Sequence, residues 1–295
     1  MREKPVGLLG GVLVLAMFFT GIFSEFLAPY GMNEITLSAR LAPPSTQHIL
    51  GTDQLGRDVL SRVIFGARIS MVVGLAASCI SAVVSIGIGL TSGFFGGKFD
   101  MLAQRLVDAW ICFPGLVIYL YLMSLVGSGM LQIILVLGIG TGISGSRLIR
   151  SATIAIKENV YVEAARAIGV PDSRIMLRHL LPNIMPIIII RFTLGMAGII
   201  LAEASLSFLG FGIPPPYPSW GAMLSGQSRS YMLQAPWMAL WPGVALSLAV
   251  YGINMFGDAL RDLLDPRLRG GVGGVGSFGA QRAMKALKKK QIKGT

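Results

Sequence analysis

Charge is scarce in this chain. Only 13% of its 295 residues are Asp, Glu, Lys or Arg, against about 25% in soluble globular domains. So little charge cannot coat a folded surface, which excludes an ordinary soluble domain. Acidic residues are the scarcer kind, 14 against 25 basic ones, giving a formal net charge of +11. That excess does not point to nucleic acid, because it forms no stripe across a polar face; it crowds into 147–178 and the stretch after Arg261. Cysteine is limited to Cys79 and Cys112, both in apolar runs without metal-type spacing. There free cysteine acts as a small hydrophobe, and no structural disulfide is expected. The two histidines, His48 and His179, have no metal-ligand neighbours in sequence. A Gly-x-x-x-x-Gly-Lys-[Ser/Thr] phosphate loop, a His-Glu-x-x-His pair and a Gly-x-Ser-x-Gly elbow are all missing, so the chain is expected to be no enzyme and to bind no cofactor or metal itself. Any energy it uses must come from a partner.

What the chain has is apolar length: 53% of residues are hydrophobic and the mean hydropathy is +0.69. Spanning hydrocarbon takes about 20 apolar residues per helix, and six stretches qualify: 6–27, 69–93, 109–126, 130–148, 185–206 and 237–256. The first follows Arg2 and Lys4 like a signal peptide, but it is too long and lacks a small-x-small cleavage site, so an uncleaved helix is expected. Polar segments separate the first two stretches (28–68, broken by Pro43, Pro44 and Gly51) and the last two (210–236, rich in proline). Basic residues favour the cytoplasmic side, which puts the 147–178 loop, the tail and both termini there. Arg40, Arg57, Arg62 and Arg68 then fall outside, with Asp53 and Asp58 as candidate partners. The expected fold is an all-α integral membrane protein, a six-helix bundle. Its division is 1–66 (first helix and external segment), 67–260 (transmembrane domain) and 261–295 (basic flexible tail attracted to anionic lipid). The Gly-x-Gly pattern after Gly270 reads as linker.

Small residues recur every four positions at Ala77, Ser81, Ser85, Gly89 and Gly93, and again at Gly138, Gly142 and Ser146. Such stripes let helix backbones approach in lipid, within one subunit or between two; the former is favoured.

The polar insert 159–183 is longer than a simple helix connection needs. Ala164, Ala165 and Ala167 favour helix, Gly169 suits a left-handed helix end followed by Pro171, and a second short helix can start there with Asp172 and Ser173 in its first turn. Pro182 is expected to end that helix and turn the chain back. A hairpin lying on lipid headgroups would carry larger apolar groups; the small alanine surface fits a groove on a soluble protein.

Glu163-Ala164-Ala165, Gly169 and Leu181-Pro182 resemble the EAA loop of ATP-binding-cassette importer permeases, with His179 where the general pattern has Ile. The likeness covers nearly the whole chain: His48 to Arg62, Glu203 to Gly210, Trp220-Gly221, Trp241-Pro242-Gly243 and Gly257 to Pro266 are similar to dipeptide, oligopeptide and nickel permeases, the C-type member of a pair. The resemblance implies a type I importer permease in a bacterial or archaeal plasma membrane. It also implies a B-type partner chain, two cytoplasmic ATPase subunits that hold ATP and Mg, and an external solute-binding protein. Peptides are the expected solutes, with nickel complexes, glutathione or another small solute as alternatives; a secondary transporter or a scaffold is a more distant reading. Glu163, Ala164, Ala165, Gly169, His179, Leu181 and Pro182 would form the coupling loop.

Glu203, Ser205 and Ser207 are candidates for the translocation path, Glu203 alternatively being a hydrated helix-end carboxylate. Arg191 is expected to snorkel to the cytoplasmic headgroups, and Trp220 and Trp237 to anchor the outer interface.

Overall fold

The computed structural model describes residues 5–231 and 233–264. In chain order the helices are α1 (Pro5–Ile22), α2 (Ser24–Leu27), α3 (Val59–Phe95), α4 (Gly97–Ile111), α5 (Gly115–Val126), α6 (Met130–Lys157), α7 (Val160–Ala167), α8 (Asp172–Arg174), α9 (Leu181–Phe208), α10 (Trp220–Leu224), α11 (Gly226–Ser230) and α12 (Trp237–Leu264). Extended pairing among the described residues is confined to one bridge, Thr52 to Asp58.

The six apolar stretches become four full-length spans (Val59–Phe95, Met130–Lys157, Asp172–Phe208, Trp237–Leu264), one pair of helices bent by 88°, and the shorter Val6–Ile22. The bent pair corrects the expected single span at 109–126: α4 and α5 meet at 112–114. Pro114 has no N–H to continue α4 and disfavours helical geometry at Phe113, so the chain turns there. The full-length helices also outrun their apolar runs. Val59 to Arg68, interrupted by Ser61, Arg62 and Arg68, is helical too, started by Asp58, whose carboxylate accepts from the Ser61 N–H at 2.8 Å. That cap satisfies one of the four free donors at the helix start, and α3 runs through the expected division at 66–67 without a break. At the far end α12 includes 261–264, assigned from sequence to the tail; residues 265–295 lie outside the described residues.

The small-residue stripes face each other. A Cβ on Gly142 would lie 2.7 Å from Val84 Cβ and 3.0 Å from the Ser81 carbonyl; one on Gly89 would lie 2.5 Å from the Ser146 carbonyl. Backbone therefore touches backbone along the α3–α6 seam, and Ser85 Oγ donates across it to the Gly142 carbonyl at 2.8 Å. This is packing within one subunit. The α4 helix is tied to the same seam by Arg150, which donates to Asp100 at 2.6 Å, and by an Arg147–Asp108 ion pair.

The bundle has two distinct ends. At one, Trp237 Nε1 at the start of α12 donates to the Thr52 carbonyl at 3.0 Å. The 28–58 segment is knotted here around Asp53, which accepts from the Leu55 and Arg57 N–H groups and pairs with the Arg57 side chain at 2.6 Å and Arg62 at 3.8 Å. Gly56 has φ +75, and a Cβ there would stand 1.9 Å from the Thr36 carbonyl, so only glycine fits. Arg68 pairs with Glu25 at 2.7 Å, and Asp58 partners His48 at 3.0 Å rather than an arginine. Trp220, expected as an interface anchor, is instead core: it is 3% exposed and donates to the Val63 carbonyl. At the other end lie α7 and the closes of α3 and α6, the last two joined by Lys157 donating to the Gly93 carbonyl. Because Gly7 packs on Ala259 and Gly21 on Arg68, α1 runs antiparallel to α12, and residues 5 and 264 sit at the α7 end.

The seam makes a prediction. Gly142→Leu should overpack it, a cost of about 1–3 kcal/mol, and lower the melting temperature of the purified chain in detergent by several degrees. Gly87→Leu, where nothing lies within 4 Å of the added Cβ, should leave it unchanged. Equal melting of Gly142→Leu and wild type would contradict the seam.

Candidate functional site

The insert folds into an elbow between α6 and α9. Asn159 closes α6, its Nδ2 donating to the Ile156 carbonyl at 3.0 Å. The following α7 helix carries Glu163 in its first turn, where a carboxylate favours the helix dipole. It ends as the sequence indicates. Gly169 takes φ +76, its N–H donates to the Arg166 carbonyl at 2.9 Å, and the Val170 N–H reaches the Ala165 carbonyl at 3.0 Å. These two bonds form the Schellman closure, which fixes the corner angle.

The elbow is seated rather than loose. Val162, 0% exposed, and Ala165 enter a core cluster with Leu90 and Phe94 of α3, Ile149 of α6, and Ile175, Leu180 and Ile184 beyond the corner. Arg166 lies 5.0 Å over the Phe94 ring. Ala165 therefore faces the bundle, not outward with Ala164 and Ala167, which remain exposed with Glu163 and Gly169. Beside them Val160 and Ile168 are about four-fifths exposed, at 79% and 81%. The outward face is thus apolar and acidic, with no partner among the described residues.

Past the corner the structure departs from expectation. The chain does not turn at Pro182; α8 runs through a π-helical stretch, Ile175–Leu180, straight into α9. Proline lacks a donor and crowds the carbonyl four residues back, and the wider register absorbs both: the Leu181 N–H donates to the Met176 carbonyl, and Asn183 Nδ2 caps the His179 carbonyl at 2.6 Å. Pro182 then occupies the start of α9, where a missing N–H does little harm. His179 and Leu181 are half-buried in this joint and Pro182 is exposed. One unbroken rod, Asp172–Phe208, thereby leads from the elbow to the opposite end of the bundle.

At that opposite end Glu203 is 0% exposed, so it is not a hydrated helix-end carboxylate. Ser207 Oγ donates to its Oε1 at 2.7 Å, while Ser219 faces it outside bonding geometry and Oε2 has no partner. Ser207 also borders a cavity of about 450 Å³ that includes Asp53, Arg57 and Arg62. Ser205 points elsewhere, into a groove with Leu116 and Leu201, and bonds its own backbone at Leu201. The three candidates therefore do not form one surface. Arg191 is not extended toward the α7 end but turned onto α6. No group of three or more His, Cys, Asp or Glu side chains among the described residues could hold a metal ion.

Residues 85–270 match the family described as binding-protein-dependent transport system inner membrane component. The chain is 35% identical over 269 residues to the dipeptide transport system permease protein DppC of Alkalihalophilus pseudofirmus, covering 91% of this chain and 88% of that protein. It is 37% identical over 270 residues to the glutathione transport system permease protein GsiD of Escherichia coli, covering 91% and 89%. Among solved structures, the inward-facing MetNI methionine ABC transporter matches with a TM-score of 0.56 over 70% of this chain and 96% of that one, at 18% identity; this likeness concerns the fold.

Val162→Asp should unseat α7, since an unpaired buried charge is strongly disfavoured, and amide hydrogen exchange across 160–170 should rise at least tenfold. Val160→Asp, on the exposed face, should leave exchange as it was. Matching profiles for the two variants would show that α7 is not held by its buried face.

Proposed function

The chain belongs to the binding-protein-dependent transport system inner membrane components, as a multi-pass permease subunit of an ABC importer of the peptide family, and on that premise we propose that the α7 elbow couples it to ATP hydrolysis on a partner. In this reading the end of the bundle that bears α7 and residues 5 and 264 is cytoplasmic. Two ATPase subunits hold ATP and Mg and grip the elbows of this chain and of a homologous B-type permease. The opposite end, with the 28–58 knot and the outer cavity, receives the solute from an external binding protein. The solutes are di- or oligopeptides or a related molecule such as glutathione.

The observation that carries the proposal is the two-faced helix: Val162 and Ala165 locked into the bundle, Val160, Glu163, Ala164 and Ile168 presented outward. A docking helix needs both faces. An outward face without the inward lock would dissipate displacement in a loose loop, and the rod Asp172–Phe208 continues the lock across the bundle. Ser207, on the cavity wall, and Ser205, in the groove beside α5, are the path residues this reading retains. Glu203, being enclosed, accepts from Ser207 one turn along the same helix and does not line the path.

Proline cannot adopt φ +76 and has no N–H for the Arg166 carbonyl, so Gly169→Pro should remove the corner. Glu163→Lys should reverse the charge of the docking face. Each variant should insert and copurify with its permease partner, yet lose at least tenfold in uptake per ATP hydrolysed in proteoliposomes. Uptake at the wild-type ratio in both variants would refute the coupling role.

A further inference from the structure

Arg57, Arg68, Arg147 and Arg150 each rest against a carboxylate. Arg191 has none among the described residues, although it lies ten residues inside α9, roughly 15 Å along the helix from its start. Among the described residues its one hydrogen bond is long, Nη2 donating to the Thr141 carbonyl at 3.4 Å, which leaves most of its five N–H donors without a partner there. Among the described residues Tyr119 is the titratable side chain that interacts with it. The guanidinium nevertheless has a fitted seat. A Cβ on Gly145 would come within 3.2 Å of Nε and Nη2, and one on Gly195 within 2.8 Å of Nη1. Glycines on α6 and α9 thus leave room for this one group.

An arginine at mid-membrane depth is unfavourable by about 2.5–3.5 kcal/mol on insertion scales and normally faces a cavity or a partner. Arg191 retains partial exposure, and the helix face above it stays narrow. Gly195, Gly198 and Ala202 follow at helical spacing, Gly198 being exposed with nothing within 4 Å of where its Cβ would be. A ligand moving along α9 meets open backbone and then a guanidinium with free donors. The planar fork of those donors matches a carboxylate in a two-bond geometry that lysine or an amide cannot reproduce.

We propose that Arg191 receives the free carboxylate of the solute in transit, and so selects peptides with an unblocked C-terminus. This rests on the peptide-importer reading above.

The test uses the complete transporter in proteoliposomes, with trialanine and its C-terminal amide as solutes. Arg191→Gln should lower trialanine uptake at least tenfold and amide uptake less than twofold, with Arg191→Lys in between. A second measurement uses the free-acid dipeptide of alanine and p-benzoylphenylalanine: on illumination during turnover it should crosslink to 191–198 or 141–145, and at least fivefold less in Arg191→Gln. Equal loss of both solutes, as a structural role or a carboxylate on the paired permease would give, or crosslinks confined to other regions, would overturn the assignment while leaving the importer intact. A wild-type complex that transports neither of these, nor other di- and oligopeptides or glutathione, would overturn the peptide reading itself, and this proposal with it.

Discussion

Close contact between the backbones of α3 and α6 governs the rest of this molecule. Glycines and serines at four-residue spacing remove the side chains that would separate the two helices, and in lipid such contact replaces the hydrophobic drive that water supplies elsewhere. The seam does more than hold two helices. Its far end widens into a platform of Leu90, Phe94 and Ile149, and on that platform sit Val162, Ala165 and the start of the long α9 rod. A shift of one element there must be shared by the others, because a close-packed interior transmits strain rather than absorbing it. The elbow is therefore seated on the close-packed end of the α3–α6 seam.

At the opposite end a different chemistry does the fixing. Buried Asp53 gathers two backbone donors and two arginines, Asp58 caps α3, and Trp220 and Trp237 donate to carbonyls of neighbouring segments. Polar groups removed from water must find partners, and here the partners come from segments far apart in sequence. The loops at this end are thereby stitched to the starts of α3 and α12. Flexible loops would leave the cavity at this end without a defined wall; these do not.

Much of this was legible in the residues. Apolar length located the spans, and the Gly169–Pro171 pair announced the left-handed corner that φ +76 realises. The spacing of Ala77 to Gly93 against Gly138 to Ser146 announced the seam, and the EAA pattern singled out the elbow. What was missed follows a common cause: hydropathy sees side chains, while helices are continued or ended by backbone bonds. The first turns of α3, where Arg62 and Arg68 interrupt the apolar run, were missed for that reason, as was amphipathic α4, which has its own ion pairs to α6. The Phe113-Pro114 break was present in the sequence but masked by the apolar run around it. Pro182 misled in the opposite sense, because a π-helical turn just ahead of it can accommodate the missing donor, and nothing local signals that turn. Arg191 and Trp220 were placed by the general habits of their side chains, whereas the spaces left for them by Gly145, Gly195 and Gly66 decide their actual directions.

The central claim, that the outward face of α7 meets a cytoplasmic ATPase while its inward face stays locked, is most directly tested at Ala164. With Cys79 and Cys112 replaced by serine, Ala164→Cys should react with a membrane-impermeant thiol reagent only from the cytoplasmic side. It should also crosslink in high yield to the ATPase subunit of the assembled transporter. Labelling from the outer side, or full protection with no crosslink to the ATPase, would contradict the account.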